Sequence, residues 1–182
     1  MIIVMGMPGA GKTTVLSEAI KGMPGWRTVN WGDKMLEIAL RRGLVKDRDE
    51  IRKLPAREQR TLQEDAANEL AKEKEKMILD THCSINTPDG YFPGLPFNLL
   101  GKLKVEKFIM IDAPIEHIMR RRQADTTRAR DAQERAKLEE QLFVNKALIC
   151  AYSAYTGAPV AFVTNEDGRL DEAVERFRSL VR

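Results

Sequence analysis

Cysteine is scarce in this chain. Cys83 and Cys150 are the only two in 182 residues, far apart and without metal-ligand spacing. A disulfide scaffold or a zinc module is therefore not expected, and both thiols read as buried or partly buried. Long apolar runs are missing too. None approaches the ~20 residues that a membrane helix needs. The start is a short apolar strand, not a basic segment leading into a long apolar one. Neither a membrane association nor a secretory leader is expected, and a cytoplasmic location is the default. Excess charge of one sign is also absent: 30 Lys and Arg against 27 Asp and Glu leave +3. Such a balance does not mark a nucleic-acid coat, and a nucleic-acid partner is not expected. Internal repeats, low-complexity tracts and inter-domain linkers are lacking as well, so residues 1–182 read as one domain.

What is present is an enzyme-like mixture, 43% hydrophobic and 31% charged. Five short apolar runs read as strands: Ile2–Met5, Arg27–Trp31, Lys76–Asp80, Lys107–Asp112 and Pro159–Thr164. Helical stretches separate them, at Lys12–Ile20, Asp33–Arg42, Asp47–Lys53, Pro55–Glu75, from Pro114, Asp131–Tyr155 and Leu170–Val181. Residues 81–98, rich in proline and glycine, read as irregular. The alternation predicts an α/β fold, a five-stranded parallel sheet with helices on both faces. Ligands of such sheets bind beyond the carboxyl ends of the strands. Gly6–Thr14, Gly32-Asp33, Asp80–Cys83, Asp112-Ala113 and Asn165 follow the five strands and should converge on one cleft.

The first of these stretches carries the strongest motif. Gly6-Met7-Pro8-Gly9-Ala10-Gly11-Lys12-Thr13 satisfies G-x-x-x-x-G-K-[ST] between a strand and a helix. Its glycines let successive N–H groups point inward as an anion nest, and the following helix adds its positive end. Lys12 is expected on the β- and γ-phosphates, Thr13 on Mg²⁺ and Thr14 on the α-phosphate. Asp80 ends an apolar strand, where such proteins place an acid that holds Mg²⁺ or its water. His82 follows in a loop; hydrogen bonding alone would also account for it. Arg120, Arg121, Arg122, Arg128 and Arg130 crowd into eleven residues. Arg121, Arg128 and Arg130 flank a polar segment, Gln123–Thr127, that could fold over a nucleotide and stabilise charge on a transferred phosphoryl group. Trp31 suits a base stack or a core position equally.

Together these segments resemble a family. GMPGAGKTT at the start, WGDKMLEIA at 31–39, DRDEIRKLP at 47–55, LDTHCSINTPDGYFPGLP at 79–96, DTTRARD at 125–131 and NEDG at 165–168 are similar to the archaeal-type adenylate kinases, across nearly the whole chain. The resemblance implies a nucleoside monophosphate kinase fold of three layers and the Mg²⁺-dependent reaction ATP + AMP ⇌ 2 ADP. It implies a cytoplasmic enzyme, commonly a homotrimer. On the family pattern Gly6–Thr14 binds ATP, and Asn165 lies in the loop that touches the ATP adenine. A monophosphate-binding segment spans about 32–75, with Gly32, Asp33 and Arg52, and His82 beside it. Arg121, Arg128 and Arg130 belong to a short lid at about 121–131.

Two departures stand out. The larger adenylate kinases hold the AMP phosphate with an arginine in a G-F-P-R stretch, whereas Gly90–Pro96 here contains none. Lys146 stands after Asn145 where the family favours arginine, and lysine lacks the guanidinium fork. Another small-molecule kinase on this fold, for CMP, UMP or shikimate, is the nearest alternative. A nucleotide-binding, RNA-associated protein is a further one. A GTP switch would need D-x-x-G and N-K-x-D motifs; Asn145-Lys146-Ala147-Leu148 lacks the acid.

Overall fold

A computed structural model describes residues 1–51, 53–124 and 135–181. Five parallel strands form its main sheet: β1 (Ile2–Gly6), β2 (Trp26–Asn30), β3 (Lys76–Asp80), β6 (Lys107–Asp112) and β7 (Val160–Thr164). Their order is β2-β3-β1-β6-β7. The three inner strands β1, β3 and β6 are apolar and buried over most of their length, as strands covered on both faces require, whereas the edge strands β2, with Arg27, Thr28 and Asn30, and β7 are only partly buried. Alternate side chains serve opposite faces. Ile3, Met5, Leu79, Phe108 and Met110 pack under α2 (Trp31–Arg41), α4 (Ala56–Leu70), α5 (Phe97–Leu100) and α7 (Arg135–Thr156). Ile2, Val4, Ile78, Ile109 and Ile111 pack under α1 (Lys12–Lys21) and α8 (Leu170–Val181). The layers are therefore helix, sheet, helix, with all five expected strands in place.

Several boundaries differ from the sequence reading. Strand β2 ends at Asn30, not Trp31, because the Asn30 side chain caps α2 by accepting from the Asp33 N–H at 3.1 Å. Trp31 thereby becomes the first residue of α2 and is buried in the core. Helix α4 stops at Leu70 and not at Glu75: Ala71 is the last residue to pack on the core, and the exposed Glu73 and Glu75 pair with Arg27 instead. Residues 81–98 are not irregular. They hold an antiparallel hairpin of β4 (Ser84–Thr87) and β5 (Gly90–Pro93), then the short α5. Gly90, at φ 112°, turns the hairpin. Gly94 follows it because a Cβ there would sit 2.0 Å from the His82 carbonyl oxygen. The short helix α3 (Arg48–Ile51) does start as expected, with Asp47 accepting from the N–H groups of Asp49 and Glu50.

Helix α6 (Ile115–Ala124) leaves β6 and returns beside the glycine-rich loop. A third apolar cluster makes that packing: Met7 and Ala10 of the loop against Ala113, Ile115 and Ile118, with Leu138 from α7. The loop is thus fixed from beneath by its own apolar residues.

Candidate active site

The carboxyl ends of the strands do converge. Lys12, which opens α1 after the loop that follows β1, and Asp80, at the end of the neighbouring strand β3, form a direct ion pair. Asn30, at the end of β2, donates from Nδ2 to Asp80 Oδ2 at 3.1 Å. Its own Oδ1 accepts from Arg48 at 3.3 Å, and Arg48 also pairs with Asp33 at 2.8 Å. A polar chain therefore runs Lys12–Asp80–Asn30–Arg48–Asp33 across three strand ends. Gly32 lies against it: a Cβ there would meet Arg48 Nη2 at 2.3 Å. On the other flank, the Asn165 N–H donates to the Asp112 carbonyl at 2.8 Å, and Asn165 Nδ2 donates to the Ala10 carbonyl at 2.9 Å.

The loop that receives Lys12 has the geometry its glycines foretell. Gly9 and Gly11 adopt φ of 93° and 81°, values that side-chain-bearing residues rarely take. Helix α1 begins at Lys12 with no side-chain cap, so its first N–H groups remain available to an anion. A Cβ on Gly6 would lie 2.5 Å from the Ile111 carbonyl, so only glycine lets β1 run this close to β6. Burial pulls the Lys12 ammonium down to about 8. A polyanion in the cleft would hold it in the charged form. Thr13 and Thr14 are exposed on the first turn of α1, facing outward from the core.

Arginine 121 is brought to this loop from α6. Its Nη1 donates to the Ala10 carbonyl at 3.2 Å, its Nη2 to the Asn165 carbonyl at 2.9 Å, and its Nε to Asp167 at 2.8 Å. The contact with Arg121 is the first cause holding the Asp167 carboxyl below the usual range. Arg122, next along α6, donates from Nε and Nη2 to the Pro8 carbonyl at 3.0 and 2.7 Å. His82 is exposed beside the buried Thr81, whose N–H donates to the Val4 carbonyl. Lys146 lies 3.9 Å from Asp112, a half-buried acid at the end of β6 whose carboxyl burial pushes upward, with Thr164 and Lys146 opposing. Arg52, Arg128 and Arg130 lie outside the described residues.

Four site residues were not legible beforehand: Asn30, Arg48, Arg122 and Asp167. Asn30 had a signal, the N-x-x-D pattern of a helix cap read one turn too late. The others are charged residues among many, and only the fold selects them. Among the described residues no group of three or more His, Cys, Asp or Glu could hold a metal.

The family described as an AAA domain matches residues 5–139. An adenylate kinase from Methanopyrus kandleri is 48% identical over 100% of this chain and 97% of its own length. One from Thermoplasma acidophilum is 44% identical over 94% of this chain and 92% of its own. One from Methanothermobacter thermautotrophicus is 39% identical over 100% and 98%. Among solved structures, a shikimate kinase from Bacteroides thetaiotaomicron superposes with a TM-score of 0.58 at 17% identity, covering 99% of this chain and 97% of that one. At that identity the likeness concerns the fold alone.

Proposed function

The chain belongs to the adenylate kinases, a family of phosphotransferases, and from that premise we propose how its cleft works. The donor is ATP and the acceptor AMP, and each turnover gives two ADP. The observation that carries this is the meeting of Lys12, which opens α1, with Asp80, at the end of β3, under a glycine loop whose helix start carries no side-chain cap. Gly6, Met7, Pro8, Gly9, Ala10, Gly11, Lys12, Thr13 and Thr14 cradle the ATP phosphates, with Asn165 near the base. Gly32, Asp33, Arg52 and His82 line the acceptor side, within a monophosphate segment at about 32–75 of one domain. Lys12, Asp80 and Arg121, with Arg128 and Arg130 of a short lid at 121–131, stabilise the transferring group.

The chemistry needs no strong base, because the attacking AMP oxygen is already anionic. It bonds to the γ-phosphorus as the bond to the β,γ-bridging oxygen breaks, and the electron pair leaves with ADP. What the chain supplies is alignment and positive charge in a site closed to water. Lys12 must leave Asp80 to reach phosphate oxygens. That exchange frees the Asp80 carboxylate. Mg²⁺ fits the donor set: hard oxygens from Thr13 and Asp80, too few to cage a metal without phosphates and water. When bound it neutralises charge on the β- and γ-oxygens. The larger kinases' acceptor arginine is absent from Gly90–Pro96, so Arg52 or a lid arginine carries the AMP phosphate in this reading. The homotrimer and the cytoplasmic location rest on family resemblance, and sedimentation and cell fractionation test them.

The deciding experiment is a coupled assay with ATP and a panel of AMP, CMP, UMP and shikimate. Two ADP per turnover with AMP, and much slower transfer to the rest, is the expected result. Equal rates with CMP or UMP would overturn the acceptor assignment.

A further inference from the structure

Three carbonyls of the glycine-rich loop, those of Pro8, Gly9 and Ala10, are approached by side-chain donors from α6 and from Asn165 after β7. The Pro8 oxygen accepts two bonds from Arg122, at 2.7 and 3.0 Å. The Ala10 oxygen accepts from Asn165 at 2.9 Å and Arg121 at 3.2 Å. The Gly9 oxygen lies 3.4 Å from Arg121 Nη1. In a trans peptide the C=O of one residue and the N–H of the next point in opposite directions. Gripping the Pro8 oxygen therefore fixes the direction of the Gly9 N–H, and gripping the Ala10 oxygen fixes the Gly11 N–H. The Gly9 oxygen shares its peptide with Ala10, whose N–H is spent within the loop, on the Met7 carbonyl at 3.1 Å.

We propose that Arg122 is a positioning residue for phosphoryl transfer: by holding the Pro8 carbonyl outward it aims the Gly9 N–H at the donor phosphates. The inference rests on the reading that this loop binds ATP. A cation on the carbonyl also polarises the peptide, which strengthens the N–H on its far side as a donor. Arg122 is the more suitable because its Nε and Nη2 converge on one oxygen, a two-point hold that lysine cannot reproduce. The fit is close. A Cβ on Gly9 would lie 3.3 Å from both Cγ and Nε of Arg122, so the glycine and the arginine occupy each other's space. Arg121 holds the Ala10 carbonyl in a similar way and also pairs with Asp167. The role assigned to Arg122 thus runs through the loop.

The test compares Arg122→Ala, Arg122→Lys and Arg122→Gln with the unaltered enzyme, in steady-state kinetics and by amide NMR of the loop with and without ATP. Loss of a charge-assisted hold predicts a KM for ATP raised about tenfold in Arg122→Ala. The KM for AMP and the melting temperature stay near their unaltered values, and Arg122→Lys recovers part of the loss. The ATP-induced shift of the Gly9 amide shrinks while that of Gly11, held by Asn165, persists. An unchanged Gly9 response overturns the proposal, as does a parallel loss for ATP and AMP that tracks a lower melting temperature. If Arg122→Ala does not fold, the Lys and Gln variants decide by the same readouts. Should the unaltered enzyme show no ATP-induced shift at any loop amide, the ATP-binding reading itself fails, and that outcome is separate.

Discussion

Replacing Lys12 by methionine tests the centre of the site most sharply. Methionine keeps the length of the apolar stem and removes only the ammonium. That ammonium pairs with Asp80, and burial lowers its pKa to about 8. During transfer it faces phosphoryl oxygens. Two unit charges ~4 Å apart at an effective dielectric of about 20 interact by roughly 4 kcal/mol. If most of that is realised only as charge moves in the transition state, kcat falls by about three decades. The assay is ADP formation from ATP and AMP at saturating nucleotide. Retention of more than about a tenth of kcat, a loss of only ~1.4 kcal/mol, would refute the reasoning. A rise in KM alone would mean that Lys12 binds ground and transition states equally.

The pH profile supplies an independent arm. Lys12 is charged below its folded pKa, so kcat/KM for ATP should fall as pH rises past about 8 in the unaltered enzyme. The methionine variant has no such ammonium, and its profile should lack this alkaline limb. A limb that persists in the variant would assign the titration to another group.

Gly11→Ala meets a positive φ of 81° and an Asn165 Nδ2 only 2.2 Å from the new Cβ, whereas Gly25→Ala has the same φ and nothing within 4 Å. Urea melts should therefore show ~1 kcal/mol lost at Gly25 from strain alone, and about 2–3 kcal/mol at Gly11, where the bond to the Ala10 carbonyl also breaks; equal losses would deny the Asn165 contact. Asp112→Asn removes a charge that burial disfavours and leaves the shape intact, so at pH 7 the melting temperature should rise by about 2 °C. Because the folded pKa is raised, the cost is present above that pKa and vanishes as pH falls below the ordinary carboxyl range, so the advantage should fade in acid; a constant advantage would exclude titration of Asp112. Arg128→Ala and Arg130→Ala should lower kcat more than they weaken ATP binding, and a change confined to KM would make them ordinary substrate contacts.

Why some of this was legible in sequence and some was not follows from how far each feature reaches along the chain. The five strands are local: each lies between turn signals, and for β1, β3 and β6 burial on both faces leaves no ambiguity of face to resolve. The glycine-rich loop is local too, since its motif sits in eight consecutive residues. The hairpin at Ser84–Pro93 was missed because its apolar residues Ile85 and Phe92 face solvent, so hydrophobic alternation carries no burial signal there. The paired positions Ser84–Pro93 and Thr87–Gly90 are held by turn geometry and by Ser84 donating to the buried Asn145 at 2.5 Å, a contact that spans the chain. Arg122 is the limiting case. In sequence it is one of three consecutive arginines, Arg120 to Arg122. One of them meets Asp167 at the surface, one divides itself between Asp167 and the loop, and one holds the Pro8 carbonyl. The helical turn, about 100° per residue, sends Arg120 and Arg121 toward Asp167 and Arg122 toward the Pro8 carbonyl. Composition could announce a basic cluster; only the direction of each side chain from α6 separates a solvated charge from one that shapes the loop.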